Sequence, residues 1–301
     1  MHATSHAIGR EKLLGHLAML LFAALIAGSF SLGHKAAPFI GASALNAIRF
    51  AVATSVMAAL LFFLRKDDVR LPGAPWRFAV LGGLMAFYFV LMFVALKITD
   101  PVSTGAVFTL IPLMSAGFGW LFLRQQTRPS VLLALLVGGA GAVWVIFRGD
   151  VRAILSFDIG QGEAIFFFGC MAHAAYAPLV RLLNRGESVL RFTVFTLAAS
   201  TVWIALAGAG ELAVTNFSIL PAVVWIAVLY LALFTTAGTF FLLQFASLRL
   251  PASKVLAFGY LTPSFVILLE GLSGHGWVSP TVGLGALVTT AALFVMALAP
   301  D

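Results

Sequence analysis

A chain of 301 residues that is 61% hydrophobic and only 10% charged, with a mean hydropathy of +1.06, lies outside the composition range of water-soluble globular domains. It reads as an integral membrane protein. The net charge of +7 comes from basic residues gathered in short segments between apolar runs, a pattern of membrane topology that argues against a nucleic-acid partner.

A membrane crossing needs about 20 mostly apolar residues. Ten stretches qualify, at 13–33, 39–64, 76–96, 101–123, 130–148, 161–183, 188–209, 222–245, 252–272 and 279–298. Span 1 is long and is followed by many equal runs, so it reads as a mature span and not as a cleaved signal. Span 2 holds Arg49 inside "SALNAIRFAVATSVMAALLFF", at a cost of about 2.5 to 3.5 kcal/mol for a charge at mid-membrane. Span 3 carries Tyr88, and span 4 carries Pro112 within "FTLIPLMSAGF". Span 6 holds Cys170, His173, Tyr176 and Pro178, and span 7 opens on Arg191. Span 8 carries Tyr230, and span 9 carries Tyr260, Pro263 and Glu270. The segments "LLALLVGGAGAVWVIF" and "GLGALVTTAALFVM" of spans 5 and 10 hold no ionisable residue, which suits lipid-facing or helix-packing roles. The breaks between spans carry turn chemistry, such as "RKDDVRLPGAP", "KITDP" and "NRGES". The expected fold is all-α, since lipid offers no partner to unpaired backbone groups.

With the N-terminus inside, thirteen of the 18 basic residues fall in inner segments and only Lys35, Lys97, Arg148 and Arg152 in outer ones. Both termini are therefore expected in the cytoplasm.

The string "RFAVAT" at 49–54 returns as "RFTVFT" at 191–196. In the same order, "GSFSLGHK" pairs with "AAYAPLVR", "FVALK" with "FASLR", and Pro112 with Pro263. The chain thus reads as two five-helix units, 1–150 and 151–301. Five is odd, so the second unit crosses in the opposite sense. Inverted repeats of this kind are typical of secondary transporters, with a binding site near the midplane.

The stretches "ALNAIRFAVATSV", "ALKITDPVSTGAVFTLIPLMSAGFGWLFL" and "LRLPASKVLAFGYLTPSFVILL" resemble EamA-type transporters of the drug/metabolite transporter superfamily. The resemblance covers nearly the whole chain. It implies export of small metabolites across a bacterial inner membrane, with amino acids, and aromatic ones among them, as the leading class. Family members commonly end helices 4 and 9 with a Gly-Glu pair. Those positions hold Gln125 and Gly276 here, so no role carries over from that glutamate.

The substrate-binding candidates are Arg49, Tyr88, His173, Tyr176, Tyr260 and Glu270, with Pro112 and Pro263 as hinges. Each has a plain structural alternative. Arg49 either bonds loop carbonyls and helix ends or grips a substrate carboxylate. Glu270 either lies desolvated in span 9 or sits at the outer interface. His173 either titrates near neutral pH or bonds a neighbouring carbonyl. Each tyrosine hydroxyl at depth needs a partner. The cavity is expected between spans 1, 3, 4, 6, 8 and 9. No phosphate loop, His-Glu-x-x-His or Gly-x-Ser-x-Gly occurs, so neither cofactor, metal nor enzymatic catalysis is expected. The expected partners are a small-molecule substrate and the lipid bilayer, with the monomer as the simplest assembly. Alternatives left open are export of cationic drugs or other metabolites, a membrane enzyme, and a non-transporting membrane subunit.

Overall fold

The computed structural model describes residues 9–64, 72–156, 158–247, 249–250 and 252–298. Arg65, Lys66 and Arg70, which carry part of the orientation argument, lie outside them, as do both chain ends. The described residues are helical and contain no strand. In the first half, α1 (Arg10–Ala36), α2 (Ala42–Leu64) and α3 (Trp76–Ala95) are followed by a broken pair, α4 (Pro101–Phe108) and α5 (Ile111–Leu123), and then by α6 (Pro129–Ile146). A short α7 (Val151–Ser156) leads to α8 (Gln161–Leu183), α9 (Val189–Ala207) and the short α10 (Ala209–Val214). Span 8 is α11 (Ala222–Ala232), a π-helical turn at Leu233–Gly238 and α12 (Thr239–Ser247). Span 9 is α13 (Ala252–Ala257), a 3₁₀ turn at Phe258–Leu261 and α14 (Thr262–Leu272), and α15 (Pro280–Leu298) closes the chain. Among the described residues nine helical stretches are long and apolar enough to cross a membrane, and Pro280–Met296 is a shorter apolar helix. The chain is a multi-pass membrane protein.

The helices pack in a pattern that survives exchange of span n with span n+5. The pairing of α3 with α8 is matched by α12 with α1, that of α3 with α9 by α11 with α2, and that of α5 with α8 by α14 with α1. Three pairings map onto themselves: α2 with α9, α4 with α14 and α6 with α15.

Close approach depends on glycine at the α6/α15 contact. A Cβ on Gly141 would stand 2.9 Å from the carbonyl oxygen of Gly285, and one on Gly285 2.9 Å from that of Gly141. Such small-residue seams let helix backbones touch in lipid, where no hydrophobic force drives them together. Gly141→Val is expected to push the two helices apart and destabilise the protein by about 1–3 kcal/mol, read as a lower unfolding temperature in detergent. Gly117→Val is the control, because nothing lies within 4 Å of its added Cβ. Equal unfolding temperatures for the two variants would contradict the seam.

Two tyrosines repeat one packing device. Tyr230 donates to the Leu25 carbonyl at 3.0 Å and lies over Gly28, while Tyr260 donates to the Leu135 carbonyl at 2.8 Å and lies over Gly138. In both cases the glycine follows the accepting residue by three positions and leaves room for the ring. Each hydroxyl thereby has its buried partner.

Candidate functional site

Spans 4 and 9 break at corresponding places. Pro112 and Pro263 each enter the first turn of the following helix, and the residues two before them, Leu110 (φ −77°, ψ −17°) and Leu261 (φ −79°, ψ −15°), have nearly the same backbone angles. Proline has no N–H to give, so the carbonyls four residues back, on Phe108 and Gly259, lose their regular helical donor, and that of Gly259 accepts the Thr262 N–H instead. These two residues touch: a Cβ on Gly259 would lie 3.3 Å from the Phe108 ring. The breaks therefore meet in the interior, where α4 crosses α14. Beside the break, the Thr109 hydroxyl donates to the Ala106 carbonyl at 2.6 Å.

Around the Phe108 break lies a cluster of rings. His173 and Tyr176 are three apart on α8 and share one face. The His173 ring is 4.7 Å from that of Tyr88 on α3, 5.8 Å from Phe108 and 6.4 Å from Tyr176. Phe30 of α1 packs against Phe108 at 5.8 Å, and Phe240 of α12 against Tyr176 at 6.1 Å. The Tyr176 hydroxyl lies beside Gln244 and Thr196. His173 Nδ1, the Tyr176 hydroxyl and Gln244 Nε2 are all buried without a completed hydrogen bond of ordinary geometry. Buried polar atoms in that state are rare and look for donors or acceptors. His173 is the thirteenth of the 23 residues of α8, about 18 Å along the helix axis from its start.

Arg49 borders the cluster and is fully buried. Its Nε donates to the Thr236 hydroxyl at 2.6 Å, its Nη2 to the Thr235 hydroxyl at 3.1 Å and the Thr235 carbonyl at 3.2 Å, and its Nη1 to Asn46 Oδ1 at 3.4 Å. The guanidinium plane sits 4.3 Å from the Phe89 ring centre. Asn46 in turn donates to the Phe89 carbonyl at 3.1 Å. Thr235 and Thr236 lie in the π-helical turn of span 8, whose wider backbone spacing offers acceptors that a regular helix would use itself. Arg49 thus ties span 2 to spans 3 and 8, through groups inside the spans and not through the loop carbonyls and helix ends expected from sequence.

The other candidates separate from this centre. Tyr260 is committed to α6, as described above. Glu270 lies near the C-terminal end of α14, where its Oε2 is 3.1 Å from His275 Nδ1. It lines a cleft of about 400 Å³ at the end of the bundle where α1 and α14 finish, the end expected to face outward. Arg191 lines a cleft of about 300 Å³ at the other end with Arg77 and Glu187. There Arg77, buried, donates to the carbonyls of Leu183 and Gly73 and to Glu187 Oε1. Burial pushes the Glu187 carboxyl up, but the Arg77 bond and the backbone N–H of Arg185 outweigh it and hold the carboxyl below its usual range.

Residues 13–147 and 160–298 each match the EamA-like transporter family. The chain belongs to that family. Among its relatives is "Uncharacterized transporter YyaM" of Bacillus subtilis (strain 168), 26% identical over 259 residues, covering 85% of this chain and 84% of the relative. "Uncharacterized transporter YetK" of the same organism is 20% identical over 267 residues, covering 87% and 80%. A solved crystal structure with 22% identity covers 95% of this chain and 96% of its own at a TM-score of 0.71, which shows the shared fold.

For this EamA-like transporter, sequence reasoning missed Asn46, Thr235, Thr236 and Gln244. Asn46 carried a signal, since it stands three residues before Arg49 and faces the same side of the helix. The threonine pair did not, because small hydroxyl residues are common in membrane helices as packing residues.

Proposed function

We propose that this chain is a secondary transporter that exports small metabolites, foremost amino acids with aromatic side chains, across a bacterial inner membrane. Its halves, 1–150 and 151–301, are read as inverted five-helix repeats with ten crossings and cytoplasmic termini, rocking about a central site by alternating access. The observation that carries this reading is the pair of matched helix breaks beside the His173, Tyr176 and Tyr88 rings. Interrupted helices at corresponding positions of two repeats expose backbone acceptors at mid-depth, which is where transporters of inverted-repeat design bind substrate. The rings supply stacking surface, and the incompletely bonded His173, Tyr176 and Gln244 atoms supply polar contacts.

Counterflow of labelled phenylalanine, tyrosine and tryptophan in liposomes containing only this chain tests it. Tyr176→Phe and His173→Leu are expected to lower counterflow by about fivefold or more, the loss attached to one or two buried hydrogen bonds. Tyr260→Phe should instead lower thermal stability and leave substrate preference alone. No counterflow of any amino acid by the folded parent chain would overturn the substrate class.

A uniporter is favoured over a proton exchanger by the separate placement of Glu270, engaged with His275 at the outer end, and His173, enclosed by rings. Uphill flux driven by an imposed pH gradient, lost in Glu270→Gln or His173→Ala, would reverse that preference.

A further inference from the structure

The outer cleft that holds Glu270 has a chemistry the central cluster lacks. It is walled by α1, the start of α4, the end of α14 and the segment 275–278. Two of its lining residues end in buried oxygens with no hydrogen-bond partner, Ser31 Oγ and Glu270 Oε1. They come from helices that pack directly on each other, α1 and α14. The second Glu270 oxygen is already engaged by His275. A buried carboxylate oxygen left bare forfeits its hydration with nothing in return, so the site calls for a donor.

The kind of donor follows from what is present. An ionised carboxylate only accepts, and a serine hydroxyl can accept through two lone pairs. Asp100 adds a further carboxylate to the lining, with Oδ1 bound to the Ser103 N–H at 2.9 Å and Oδ2 3.2 Å from Arg148. A ligand group with several N–H donors and a positive charge fits such a set best, and a primary ammonium has both. Lys35 lines the same cleft and offers a counter-charge to a carboxylate on the same ligand. The position related to Glu270 by the repeat, Gly119, has no side chain. The feature therefore belongs to one end of the molecule alone, as expected of a station used at one stage of a directional cycle.

We propose that Ser31 and Glu270 form an ammonium-binding subsite at the outer end of the protein, which selects substrates bearing a primary amine as they pass between the central site and the outside. Its place in the cycle rests on the transport reading above; the binding does not.

Trp277 lines the cleft and packs over Gly271, so its fluorescence reports occupancy. The full chain in detergent is titrated with phenethylamine, phenylalanine and 3-phenylpropanoate, none of which absorbs at the red edge of indole excitation. The two amines are expected to change the emission and the amine-free acid to leave it unchanged. The change should vanish in Trp277→Phe. Glu270→Gln should weaken phenethylamine binding by roughly tenfold or more, and Ser31→Ala by about threefold. Should Glu270→Gln fail to fold, the Ser31→Ala shift carries the same test. Equal responses to amine and acid, a signal that persists in Trp277→Phe, or unchanged affinity in folded Glu270→Gln would each overturn the subsite. Amine-selective binding without liposome flux would keep the subsite and remove the transport reading. Phenylalanine flux without an amine-selective signal would do the reverse.

Discussion

Arg49→Ala is expected to lower the unfolding temperature of the purified protein by roughly 6–10 °C. Removing one partner from a buried hydrogen-bonded charge network costs about 3–5 kcal/mol, and at this chain length each kcal/mol moves the midpoint by about 2 °C. The loss falls on the acceptors left behind, the hydroxyls of Thr235 and Thr236, the Thr235 carbonyl and Asn46 Oδ1, and on the stacking over Phe89. Arg49→Lys keeps the charge but not the planar fork, and should recover no more than about half of the loss. Thermal unfolding in detergent measures both. Substrate discrimination separates the architectural role from a substrate-gripping one. If Arg49→Ala unfolds with the parent yet ceases to distinguish carboxylated substrates from their amides, the guanidinium serves the substrate and not the helix seam.

Replacing both Pro112 and Pro263 by alanine should reduce liposome counterflow by about tenfold or more while leaving the unfolding temperature unchanged or higher. Alanine restores an N–H opposite the carbonyls of Phe108 and Gly259, and a proline inside a helix costs about 3 kcal/mol relative to alanine. The continuous helix would then be favoured in both halves, straightening the path that now bends at Leu110 and Leu261. Single substitutions should fall between the parent and the double variant. Undiminished counterflow in a folded double variant would show that the breaks are not needed for passage.

Much of the fold was legible because the bilayer restricts the choices. Span 6 runs over 161–183 as read from hydropathy, and most other ends shift by no more than a few residues. The breaks in spans 4 and 9 were legible only as prolines. Whether a membrane proline kinks, hinges or divides a helix depends on its surroundings, and here the Phe108 ring packs against the facing break at Gly259. The π-helical turn at Leu233–Gly238 left no trace, since "LFTTAG" fits an ordinary helix in composition and period. At the site, the sequence pointed to residue types and the structure to their company. His173, Tyr176 and Tyr88 meet, and Arg49 stands next to them but is occupied by span 8. Tyr260 and Glu270 lie elsewhere, because a hydroxyl or carboxylate within an apolar run is equally compatible with a helix seam, an interface or a cavity.

The bonds that reconcile Arg49 with its surroundings arrive late in the life of the chain. Its acceptors on Thr235 and Thr236 lie 186 and 187 residues downstream, a gap that takes roughly 10–40 s to synthesise at ordinary rates of translation. Throughout that interval span 2 has entered the membrane, and the guanidinium has at hand only Asn46, one turn away, and, once span 3 follows, the Phe89 ring. The amino-terminal half therefore waits in an unfinished state, with a charge lodged at an inhospitable depth, until span 8 emerges. Assembly of the two halves is in this sense chaperoned by the chain itself: the second repeat completes the first, and a fragment ending before span 8 should be a substrate for membrane quality control.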